Sequence, residues 1–140
     1  MSPPQVSSPA NFDQIVSTFG YNQVLKNGNR IDTSGQGGWD SDLKGIDVKF
    51  SYKSLDEELE ACFKNVELVL NSVGSSWKDV YSLTSYHLNL AETREQVLDT
   101  MHRLFQKYIG TRRPIWAVIG IEALALEEMH AEIVATAFTG

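Results

Sequence analysis

From Leu55 onward the apolar residues Leu55, Leu59, Cys62, Phe63, Val66, Val69, Leu70 and Val73 fall on one stripe of a 3.6-residue repeat. A helix patterned in this way buries a single side, so the rest of the chain must supply a surface for that side to cover. The ends of the stripe are marked as well. Ser54 and Glu57 have the spacing of a capping box, which satisfies free amides of the first turn, and Gly74 offers a left-handed stop. A second stripe, Val97, Met101, Leu104, Phe105 and Tyr108, repeats the pattern, with Thr93 and Gln96 at its start and Gly110 at its end.

The surface these helices cover is encoded by runs of period two. FGYNQVLKNGNRIDTSGQ reads as two short strands joined at Lys26-Asn27-Gly28-Asn29, where the Asn-Gly pair tolerates the positive φ of a tight hairpin. The following GGWDSDLKGIDVKF is a loop with weak strand character at its end. DVYSLTSYHLNL, between the helical stripes, is a strand, and PIWAVIGIEAL and MHAEIVATAF are two more, joined by a short acidic link. The order strand, strand, helix, strand, helix, strand, strand predicts a two-layer α/β sandwich, a mixed sheet with two helices on one face. Residues 1–14, rich in Pro and Ser, are expected to form a flexible arm, and residues 15–140 a single domain.

Such a sheet has a second face, and here it is not polar enough to be wet. Along the strand after Pro114, Ala117, Ile119 and Ile121 alternate with Trp116, Val118 and Gly120; along the last strand, Met129, Ala131, Ile133 and Ala135 alternate with His130, Glu132, Val134 and Thr136. An apolar uncovered face on a small domain predicts self-association. Glu132 is the one carboxylate in the last strand, MHAEIVATAF, and an acidic residue in such a setting is either solvated or used.

Several functions are disfavoured. A net charge of −6, with no basic cluster longer than Arg112-Arg113, argues against binding nucleic-acid phosphates. Cys62 is the only cysteine and lies on the first helical stripe, so it is expected in the core of a protein from a reducing compartment. His87, His102 and His130 lack metal or triad spacing and are read as structural or solvated. Neither a leader-like segment nor an apolar run of membrane-spanning length is visible, so a soluble, cytoplasmic protein without membrane partners is expected.

A set of short motifs adds a resemblance: Gly20-Tyr21 in the first strand, Thr33-Ser34-Gly35-Gln36 ending the second, Ala61-Cys62-Phe63-Lys64-Asn65-Val66 in the first helix, Pro114-x-Trp116, Ile119-x-Ile121-x-x-Leu124 and Ala131-Glu132-Ile133. In order and spacing, from about Phe19 to Phe138, these resemble the Rid family, also called YjgF or endoribonuclease L-PSP. The resemblance implies a chorismate-mutase-like sandwich assembled as a homotrimeric barrel, with three clefts between subunits and neither metal nor organic cofactor. In active members such clefts hydrolyse imines and enamines derived from amino acids. It implies that Glu132 positions and polarises the attacking water, and that Tyr21, Ser34, Gly35 and Val118 line the cleft. Trp116 occupies the place of the arginine that clamps the substrate carboxylate; an indole cannot pair a carboxylate as a guanidinium does. Trp116 as a stacking surface suits a larger, flatter or uncharged small-molecule ligand, while Arg113 offers a substitute guanidinium. The expected function is hydrolysis of an imine, enamine or related C–N bond, with a non-catalytic binding or scaffold trimer as the alternative. Ribonuclease action, suggested by the older family name, fits the acidic charge poorly.

Overall fold

The computed structural model describes residues 3–42 and 47–140. The chain runs β1 (Gln5–Ser7), α1 (Asp13–Phe19), β2 (Val24–Asn27), β3 (Arg30–Thr33), α2 (Leu55–Asn71), β4 (Val80–Leu88), α3 (Leu90–Tyr108), β5 (Ile115–Ile121) and β6 (Ala131–Phe138). The six strands form one sheet in the order β1-β2-β3-β6-β4-β5, so β6 is inserted between β3 and β4. β4 and β5 run parallel, joined through α3, and the remaining pairs are antiparallel. This is the expected mixed sheet with its long helices on one side.

The stripes behave as their spacing dictates. Leu59, Cys62, Phe63, Val66, Val69 and Leu70 of α2 and Val97, Met101, Leu104 and Phe105 of α3 are all buried, against Ala131, Ile133, Ala135 and Ala137 of β6 among others. The short alanine side chains let the helical layer approach the centre of the sheet. Phe63 stacks on Trp77 with ring centroids 4.4 Å apart, and the Trp77 indole N–H donates to the Phe63 carbonyl at 2.8 Å. Ser54 caps α2 as its motif requires, accepting the Glu57 amide at 3.2 Å.

Three local expectations are corrected. The proposed loose arm, residues 1–14, instead contains β1, paired with β2, and the first residues of α1; burial of Phe12 stabilises this segment, which the Pro and Ser content concealed. The hairpin turn is centred on Gly28-Asn29, one residue later than the Asn-Gly pair, with Gly28 at φ 61°. A positive φ at the first central residue matches the twist of a two-residue hairpin, and glycine adopts it without cost. α3 begins at Leu90 rather than near Thr93, with Asn89 as its cap in the left-handed conformation. Of the 37–50 loop, residues 43–46 lie outside the described residues. Among the described residues no helix is long and apolar enough to cross a membrane.

Strand register decides which side chains can meet. Leu83, Trp116 and Ala135 share one cross-strand row, and Tyr86, Ile119 and Glu132 another. The first row faces the helices; the second belongs to the opposite face, where Ile115 is 72% exposed and Ile119 40%.

Candidate functional site

Glu132 is fixed by what holds its neighbours. Glu58, only 1% exposed on α2, accepts the backbone amides of His130 at 2.6 Å and Ala131 at 3.1 Å, and pairs with His130 Nδ1 at 2.9 Å. On the other side of β6, Gln36 and Ile133 exchange both backbone hydrogen bonds, at 2.8 and 3.0 Å. Between these anchors Glu132 leaves the sheet away from the helices and passes over Gly35. A Cβ on residue 35 would lie 2.4 Å from Glu132 Oε1, so the close approach exists only because residue 35 has no side chain. Burial raises the pKa of the Glu132 carboxyl above its ordinary value, because the charged form loses water it cannot replace.

The carboxyl opens on a cavity of about 530 Å³, lined by Tyr21, Gln23, Trp39, Val48 and Met129 and by Phe12 and Ile15 from the start of the chain. That volume is in the range of small-molecule sites. A buried polar network lies beside it: Gln36 Nε2 donates to Gln23 Oε1 at 2.6 Å, and Ser34 Oγ donates to the same oxygen at 3.1 Å. Asn65, buried on α2, donates to the carbonyls of Gly37 and Trp39, both at 2.8 Å, and so holds the loop that carries Trp39.

A larger depression of about 610 Å³ lies along α2 and α3. Its carboxylates are already engaged, Asp56 with Gln96 and Thr100, and Glu60 with Lys107 and Tyr108. The chemistry therefore favours the smaller cavity, where a carboxyl group is desolvated and makes no hydrogen bond to another side chain among the described residues.

The structure brings together part of the expected set. Tyr21 and Glu132 share the cavity, Gly35 lies beneath Glu132, and Ser34 belongs to the adjoining network. Trp116 and Val118 lie on the helix side, packed against the core, and Trp116 donates its indole N–H to Ser85 Oγ at 2.9 Å while meeting Phe105 edge to face. Within one chain Trp116 and Glu132 thus point to opposite faces, and Trp116 does not line the Glu132 cavity. Arg113 is exposed ahead of β5 and does not line the cavity.

Gln23, Trp39 and Glu58 are neighbours of the site that lie outside the quoted motifs, and Gln36 and Asn65 lie within them without an expected role. Glu58 and Asn65 carry a readable signal: they fall with Cys62 and Val69 on a single row of the buried stripe, where a polar residue needs a partner. The histidines divide. His102 is exposed, His130 binds Glu58, and His87 is buried beside Ser85 at 2.7 Å, with burial lowering its pKa to about 4. Cys62 is buried in the core, its thiol pKa raised by desolvation. Among the described residues no three His, Cys, Asp or Glu side chains converge as metal ligands.

Comparison with known proteins places this geometry. Residues 12–139 match the profile of the family described as endoribonuclease L-PSP. No curated protein matches the chain. Among solved structures, the chain is similar to the conserved Rid-family protein YyfA from Yersinia pestis, with 20% identity, a TM-score of 0.78, and 98% of this chain and 100% of that one covered. A Mycobacterium tuberculosis member of the YjgF/YER057c/UK114 family gives 20% identity and a TM-score of 0.75 over 98% of this chain and 100% of that one. E. coli TdcF, solved with bound serine, gives 18% identity and a TM-score of 0.71 over 86% and 88%.

Proposed function

The chain belongs to the endoribonuclease L-PSP family, which also carries the names YjgF and Rid, and from that premise we propose that it hydrolyses an imine, enamine or related C–N bond of a small metabolite, with Glu132 handling the water. The single observation that carries this reading is the Glu132 carboxyl, desolvated over Gly35 at the edge of a cavity large enough for a metabolite. In its ionised form the carboxylate accepts a proton from water as the water oxygen bonds to the imine carbon. The same proton then passes to the nitrogen, giving a carbinolamine. The carboxylate next takes the carbinolamine O–H proton as the carbonyl forms and delivers it to the nitrogen, so the C–N bond breaks with its electron pair on nitrogen and a carbonyl compound and an amine or ammonia depart. One carboxyl that alternates between base and acid suffices for this sequence.

Assembly as a homotrimer, through the sheet face that exposes Ile115 and Ile119, supplies the clefts this reading uses. Ammonia release from a panel of imines and enamines, generated in situ from amines, tests the activity, with Glu132→Gln as control. Equal release by the two folded proteins would transfer the reading to the binding or scaffold alternative, which the same cavity supports.

A further inference from the structure

Beside Glu132 the cavity wall carries hydrogen-bond donors that the protein leaves unused. Gln23 is completely buried and lines the cavity, yet its Nε2 has no partner among the described residues. Its orientation follows from its neighbours. Gln36 Nε2 lies 3.3 Å from the Ser34 carbonyl oxygen and donates to Gln23 Oε1 at 2.6 Å, an arrangement that leaves Gln23 Nε2 and Gln36 Oε1 both without partners among the described residues. The Gln23 amino group is thereby released. Trp39 stands between this cavity and the depression along α2 and α3, lining both, and its buried indole Nε1 has no partner among the described residues. Two desolvated, unpaired N–H groups on residues that line one cavity are costly unless an acceptor reaches them, which for these covered nitrogens takes a small side-chain shift.

The rest of the lining limits what that ligand is. Phe12, Ile15, Val48, Leu126 and Met129 make the body of the cavity apolar. Its ionisable residues are Asp47, Glu128 and Glu132 against Lys49, an excess of negative charge that repels a carboxylate. We propose that this cavity takes an uncharged, flat, largely apolar molecule whose carbonyl or amide oxygen accepts from the free N–H groups of Gln23 and Trp39, and that it discriminates against carboxylate-bearing amino-acid derivatives. This rests on the reading of the Glu132 cavity as the working site, and it names the substrate class. The carbonyl oxygen orients the ligand, the apolar walls hold its body, and Glu132 faces the bond to be cleaved.

Benzamide and benzoate, which share a ring and differ in charge, serve as probes with the full chain. Titration followed by two-dimensional NMR of the nitrogen-labelled protein should show benzamide shifting the Trp39 indole N–H and the Gln23 side-chain amide saturably, with benzoate at least about tenfold weaker. Trp39→Phe keeps an aromatic ring and removes the N–H, and Gln23→Met keeps the length and removes the amide; each should weaken benzamide by about tenfold, the scale of one lost hydrogen bond. If Gln23→Met does not fold, Trp39→Phe decides alone. Benzoate binding as tightly as benzamide overturns the proposal. So does benzamide binding that neither variant alters, or the lack of any shift up to the solubility limit of benzamide. None of these measurements involves turnover, so a failure of the hydrolytic reading, seen as equal ammonia release by wild type and Glu132→Gln, is told apart from a failure of this one.

Discussion

Glu132 lies where the side chain of residue 35 would begin: a Cβ there would stand 2.4 Å from its Oε1 and 2.5 Å from its Cδ. The Gly35 backbone is not in the left-handed region, so alanine meets an obstacle only in the carboxyl group itself. Gly35→Ala should therefore fold, lose about 1–3 kcal/mol by overpacking, and displace Glu132. Its turnover should fall with that of Glu132→Gln. Wild-type ammonia release from a folded Gly35→Ala protein would show that the seat of the carboxyl does not matter to the chemistry.

Glu132→Gln should lower turnover by about a hundredfold or more, the usual effect of removing a positioned base. Burial raises the folded pKa of this carboxyl, so the active ionised form should be lost on the acid side at a higher pH than for an exposed glutamate. The sign for stability is opposite to that of a paired carboxylate. The folded state holds the proton more tightly than the unfolded one, so the favourable contribution is present at low pH and is lost as pH rises through the raised value. Glu132→Gln, neutral throughout, should match or exceed wild-type stability at pH 7. Urea titrations at acid and neutral pH check this, and a variant that loses stability only at neutral pH contradicts it.

Glu58 should be a positioning residue. Glu58→Ala leaves the buried amides of His130 and Ala131 without their acceptor and should cost about 2–4 kcal/mol, whereas Glu58→Gln retains an acceptor oxygen and should cost less. In Glu58→Gln the loss should appear in kcat more than in KM, because the register of β6 sets where Glu132 points. Equal unfolding midpoints for all three proteins would remove Glu58 from this role.

His87 should make the protein acid-sensitive. Its folded pKa of about 4 lies below the ordinary 6.5, so the unfolded state binds the proton first and stability falls as pH drops from 6.5 towards 4. The depression corresponds to roughly 3 kcal/mol over that window at 1.4 kcal/mol per unit. Other groups titrate there too, so the measurement is the difference between wild type and His87→Asn. A difference independent of pH would mean that His87 is solvated.

Light scattering at micromolar concentration should give a trimer, and Ile119→Glu, placed on the exposed sheet face, should shift it towards monomer. A monomeric wild type would remove the shared clefts that the proposed function uses.

Much of the architecture was legible because period and pattern agree: the α2 stripe with its Ser54 cap and the alternation along β6 leave few ways to fold. Glu132, Gly35, Ser34 and Tyr21 were legible as a group only through motif spacing, since nothing local in the ribbon says what a carboxylate meets. Trp116 shows the limit. Alternation separates it from Ala117, but only the pairing of β4 with both β5 and β6 reveals that its face is the one opposite Glu132. Gln23 and Trp39 were silent for a related reason, because an unpaired donor is defined by partners that come from distant parts of the chain. Within residues 1–14, composition outweighed the buried Phe12 and concealed the strand Gln5–Ser7.

The insertion of β6 between β3 and β4 also orders events in time. Its contacts are distant ones: the Ala135 amide meets Thr33 Oγ1 across 102 positions of sequence. Until β6 docks, β3 and β4 each present an unpaired edge, and a partly folded chain carries two templates for pairing with another molecule. The closure that builds the Glu132 site is the same one that covers those edges, and it is entropically slow. Slow refolding, sensitivity to protein concentration during refolding, and late recovery of ligand binding should therefore appear together as one kinetic phase.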